Sequence, residues 1–70
     1  MAKPELTKQL LATTLKKLMK EIPLDKISVQ AIVDSCGLNR KTFYYHFQDK
    51  QALVCWIFDQ EYASLTDLNQ

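Results

Sequence analysis

The sequence predicts an all-α domain: a three-helix bundle that contains a helix-turn-helix, followed by the start of a fourth helix. Apolar residues recur at three- and four-residue steps in each segment, and no stretch alternates with period two. A single Gly and two Pro leave little room for hairpins. The run from Ser35 to Lys50 places that only glycine, two phenylalanines and a row of hydrogen-bond donors in one short corner and helix. Seventy residues, 47% of them apolar, suffice for one domain with a modest core, of the order of 3–5 kcal/mol.

The first helix is expected from about Glu5 to Ile22, with Leu6, Leu10, Leu11, Leu15, Leu18, Met19 and Ile22 inward and Lys8, Lys16, Lys17 and Lys20 outward. Pro23 stops it. Ser28 then caps a short second helix with Val29, Ile32 and Val33 as its apolar stripe and Ala31 small enough for close helix approach. Gly37 supplies the left-handed backbone that ends that helix. Asn39 caps the third, which runs from about Arg40 to His46. Gln48-Asp49 caps a fourth from Lys50 to about Leu65 or beyond, with an inner stripe of Leu53, Trp56, Ile57 and Tyr62. The expected core is Leu11, Ile32, Phe43, Phe47, Leu53 and Trp56.

Several function classes are disfavoured. No apolar run approaches the ~20 residues that cross a membrane, and the Lys3, Glu5 and Lys8 charges break any secretory pattern, so a cytoplasmic chain is expected. Cys36, Cys55 and His46 do not make a metal-ligand spacing; reduced structural thiols, with no metal and no cofactor, are the expectation. With no phosphate-cradling Gly-rich loop, no second His and no Ser-His-acid set, an enzyme is not expected.

The net charge of +1 conceals a division: residues 1–25 and 26–50 each carry +2, whereas residues 51–70 carry −3. A basic part followed by an acidic one suits a domain that turns one face to DNA. Solvated helix faces account equally well for Lys16, Lys17 and Lys20. On the third helix, Phe43 and Phe47, four apart, point to the core, while Arg40, Lys41, Thr42, Tyr44, Tyr45 and His46 carry donors suited to DNA. The competing class is a helical protein-interaction module that docks through Trp56, Phe58 and Tyr62.

The run Ile27-Ser28-Val29-Gln30-x-Ile32, then Cys36-Gly37-Leu38-Asn39-Arg40-Lys41-Thr42-Phe43-Tyr44-Tyr45-His46-Phe47-Gln48-Asp49-Lys50-x-x-Leu53, resembles the N-terminal DNA-binding domain of TetR (tetracycline repressor-like) regulators. The similarity spans about residues 5–62. Arg40-x-Thr42-Phe43-Tyr44 with Trp56-Ile57-Phe58 also resembles the branch that includes regulators of dihydroxyacetone kinase operons.

The resemblance implies a homeodomain-like head over residues 1–70 with its motif at about 28–47, part of a longer protein whose C-terminal ligand and dimerisation domain is absent here. By position, Gln30, Arg40, Lys41 and Tyr45 would contact bases. Arg40 is suited to guanine by its two-pronged fork, and an amide at Gln30 to adenine or to a phosphate; Lys41, where the family commonly has a small residue, would read a base or only a phosphate. Tyr45 would touch sugar, phosphate or a thymine methyl. Ser28, Thr42, Tyr44, His46 and Lys50 match phosphate positions, which fix register without reading sequence. The implied partner is double-stranded DNA with a near-palindromic operator, bound by a homodimer of the intact protein; the 70 residues alone would be mainly monomeric.

Overall fold

The computed structural model describes the backbone of residues 4–68 and the side chains of residues 5–62. Four helices, α1 (Pro4–Met19), α2 (Val29–Cys36), α3 (Arg40–His46) and α4 (Lys50–Leu68), are joined by short connections, with a 3-10 turn at Leu24–Lys26 between α1 and α2. No strand occurs among the described residues. The first helix packs against all three others, and α2 packs against α3. The three-helix core with an added fourth helix is thus the architecture that the apolar spacing indicates.

Helix α1 ends earlier than its apolar pattern. Pro23 disfavours helical backbone at the residue before it, and the last turn tightens: Lys20 and Glu21 donate to carbonyls three residues back, at 3.2 and 3.0 Å. Ile22 lies beyond the helix yet still packs on the core. The stripe is also narrower than its seven apolar residues suggest. Leu11, Ala12 and Leu15 are buried, whereas Leu6, Leu10 and Met19 are exposed. Leu10 is one residue from Leu11 and therefore about 100° around the helix, off the face that its neighbours cover.

The corner between α2 and α3 follows the local chemistry. Ser28 Oγ accepts the Ala31 N–H at 3.0 Å, and Gly37, at φ 75° and ψ 21°, closes the far end by donating its N–H to the Val33 carbonyl. A Cβ on Gly37 would meet nothing within 4 Å. The need for glycine is therefore conformational, because a left-handed backbone costs an L-residue about 1–2 kcal/mol.

Leu11, Leu15, Ile27, Ile32, Val33, Phe43 and Leu53 are fully buried, with Phe47 and Ile57 nearly so. Two expectations for α4 need correction. Trp56 is only half-buried, lying edge-on to Phe47 at 6.1 Å between ring centroids. Tyr62 is not on the inner stripe at all, being 73% exposed. Nine residues separate it from Leu53, which at about 100° per residue turns it to the opposite side of the helix. The side chain of Leu65 lies outside the described residues.

Candidate nucleic-acid interface

The third helix is fixed from both ends and from beneath. Asn39 Oδ1 accepts the backbone N–H of Thr42 at 2.8 Å and its hydroxyl at 3.0 Å, which supplies partners for the first turn of a helix only seven residues long. At the other end the Phe47 N–H donates to the Phe43 carbonyl at 2.9 Å. Phe43 and Phe47 bury against the core with ring centroids 5.9 Å apart. A short helix with weak intrinsic stability is thereby held by its anchors.

The opposite face carries Arg40, Lys41, Tyr44 and Tyr45, all exposed. The Arg40 guanidinium lies 5.9 Å from the centre of the Tyr44 ring, a cation-π contact that restricts the long side chain before any ligand arrives. Tyr44 in turn stands edge-on to Phe43 at 5.3 Å. Tyr45 is 82% exposed and meets the half-buried His46 edge-on at 5.0 Å. An aromatic of that exposure, on a helix that buries Phe43 and is anchored by the adjacent Phe47, has no packing role in this fold. Four residues with donor groups or stackable rings thus share one outward surface, suited to phosphate oxygens and base edges.

The remaining candidates have internal partners. Ser28 Oγ uses a lone pair for its cap, leaving its O–H to donate outward. Thr42 donates its hydroxyl to Asn39, so a phosphate contact from Thr42 would take that proton from the cap. Gln30 is exposed and donates its amide N–H to Asp34 Oδ1 at 2.7 Å. Because a carboxylate only accepts, this pairing turns the NH2 group of Gln30 toward Asp34.

Lys50 has partners within the fold that sequence reasoning did not identify. Its Nζ donates to the carbonyls of Leu24 at 2.6 Å and Ile27 at 2.8 Å, in a half-buried setting. A lysine at the first position of a helix opposes the helix dipole. Here two backbone carbonyls of its own chain offset that misfit. Such long-range carbonyl partners leave no mark in sequence spacing. The Gln30–Asp34 pair sits at an i, i+4 spacing, a signal that the sequence carries but that the expectations above did not use.

Other clusters offer no chemistry. Among the described residues no group of three or more His, Cys, Asp and Glu side chains could hold a metal ion, and no helix is long and apolar enough to cross a membrane. Cys36 is half-buried and Cys55 exposed, both as free thiols. On the side of α4 turned from the core, Phe58 is 64% exposed. Lys16 pairs with Glu61 at 2.5 Å, while Lys17 and Lys20 are exposed.

Comparison with known proteins agrees with this arrangement. Residues 10–55 match the family described as bacterial regulatory proteins, tetR family. The chain is 35% identical over 69 residues, 99% of its length, to the HTH-type dhaKLM operon transcriptional activator DhaS of Lactococcus lactis, spanning 37% of that protein. It is 34% identical over 47 residues to the HTH-type transcriptional regulator EthR of Mycobacterium tuberculosis, covering 67% of the chain and 22% of EthR. No solved structure gives a significant match. The matched span runs from within α1 to within α4 and contains the capped corner, the anchored α3 and its outward donors; the chain belongs to the tetR family of bacterial regulatory proteins, as a helix-turn-helix DNA-binding domain.

Proposed function

We propose that this domain is one reading head of a cytoplasmic transcriptional regulator without enzymatic activity, with α3 in the major groove of an operator. The observation that carries this is the division of α3: Phe43 and Phe47 fix it to the core, and Arg40, Lys41, Tyr44 and Tyr45 face outward. In that pose Arg40 and Lys41, at the start of the helix, reach base edges, and Arg40 suits the O6 and N7 acceptors of guanine. Tyr45 packs against sugar, phosphate or a thymine methyl. Tyr44, His46 and the free O–H of Ser28 bind phosphates, and Gln30 on α2 reaches a neighbouring base.

A dimer of the intact protein would present two such helices to successive major grooves, about one helical turn apart, on a near-palindromic site. The chain spans little more than a third of the length of the Lactococcus activator. That relative is named as an activator of the dhaKLM operon; a related role is part of this proposal, supported by a match over 99% of the chain.

The test is a titration with mixed-sequence duplex DNA over a range of salt concentrations. Log affinity should fall linearly with log salt, by about 0.9 for each phosphate neutralised. A flat response would instead favour a protein-docking role for the exposed Phe58 and Tyr62 surface of α4.

A further inference from the structure

We infer that Lys50 is a positioning residue for DNA recognition: it clips the segment that leads into α2 onto the first turn of α4, and acts through the placement of α2 rather than by pairing with a phosphate. The inference rests on the DNA-facing reading of α2 and α3. It departs from the phosphate role expected for Lys50 from its sequence position.

The geometry is specific. The ammonium bridges residues 26 and 23 positions away along the chain, through two short bonds to main-chain oxygens. The Leu24 carbonyl also accepts the Ile27 N–H at 3.1 Å, so the lysine completes the 3-10 turn rather than lying over it. Beneath that turn Ile27 is buried in the core. The next residue is Ser28, whose side chain caps α2. Lys50 above and Ile27 below therefore hold the backbone that sets where α2 starts, and with it the position of Ser28 and Gln30. Main-chain carbonyls cannot drift as side-chain acceptors do, which makes a lysine bound to two of them a fixed strut.

An ammonium has three donors. Two are engaged here, which holds the ammonium against the chain and leaves one donor over. A free surface lysine would add one unit of phosphate neutralisation; a clip adds none. The two roles therefore differ in salt dependence, and they also differ in which other residues they couple to.

The experiment compares the unmodified chain with Lys50→Met, which has no donor, and Lys50→Gln, which keeps amide donors without the charge. The probe is the tightest duplex that the chain selects from a random pool, and measurements are made below each variant's thermal transition. Lys50→Met should weaken binding on the order of tenfold with an unchanged salt slope, and Lys50→Gln should recover part of the loss. Gln30→Ala should cost less in the Lys50→Met background than in the unmodified chain, while the cost of Arg40→Ala, on α3, should stay the same. A salt slope reduced by about one in both variants would make Lys50 a phosphate ligand and overturn the proposal. Equal coupling to Gln30 and Arg40 would also overturn it, since general loosening of the fold has no preference for α2.

A measurement without DNA separates the two claims. Lys50→Met should speed amide hydrogen exchange at Ile27 and Ala31, whose N–H groups bond within the clipped segment and its cap; unchanged exchange there would remove the clip. If the unmodified chain bound no duplex, the DNA reading would fail while this exchange result still decided the strut.

Discussion

Replacing Phe47 by alanine tests the core at the point where it supports the recognition helix. Phe47 is 6% exposed and sits between two other rings, Phe43 at 5.9 Å and Trp56 at 6.1 Å. It joins α3 to α4. Truncating a buried phenylalanine costs about 3–5 kcal/mol through lost transfer energy and the cavity left behind. A core of this size supplies about the same amount in total, so the variant should be largely unfolded at room temperature. Far-UV circular dichroism should show reduced helix content and no sharp thermal transition. Phe58→Ala, at an exposed position of α4, should by contrast stay within about 0.5 kcal/mol of the unmodified chain. A cooperative, unshifted melt for Phe47→Ala would mean that α3 is not anchored through this ring.

Three further outcomes follow. Arg40→Ala should weaken a cognate duplex by about 1–3 kcal/mol and relax preference at one base pair, whereas Tyr44→Phe should weaken cognate and random DNA alike; competition binding against single-base variants distinguishes them. Asn39→Ala removes the acceptor for two Thr42 donors and should cost about 1 kcal/mol in thermal or chemical denaturation, with an unchanged melt arguing that the cap is not formed. Two copies of the domain joined by a linker that spans the sites should bind a two-half-site duplex on the order of 10²–10⁴ tighter than one copy, and half a helical turn of added spacer should abolish the gain; indifference to spacing would count against paired major-groove docking.

Most of the fold was legible because its signals are local. Ser28, Gly37, Asn39 and Asp49 each act on a backbone group within four residues: Ser28 and Asn39 cap α2 and α3, Gly37 closes α2, and Asp49 accepts the Ala52 N–H at 2.8 Å. The ends of α2 and α3 accordingly fall where those residues stand. What sequence spacing could not show is how much of each helix its neighbours cover. Leu6, Leu10 and Met19 satisfy the apolar step and remain exposed, since burial depends on the partner face as well as the period. Tyr62 was separable by rotation alone. Within the candidate interface, the outward set on α3 could be read from the 3.6-residue period, but the Thr42 hydroxyl bond and the Lys50 clip depend on side-chain rotamers and chain packing. Ile27 is similar: its place outside any helix gave no period by which to recognise a fully buried anchor.

The claim that α3 reads DNA is tested most directly by nuclear magnetic resonance, following backbone amide shifts of the 70-residue chain as duplex DNA is added. Shifts should concentrate at Ser28 to Ala31 and Arg40 to His46, and they should shrink as salt is raised because phosphate contacts release counterions. Shifts confined to Trp56 to Tyr62 on α4, with α3 unmoved, would contradict the assignment of Arg40, Lys41, Tyr44 and Tyr45 as the DNA-facing surface.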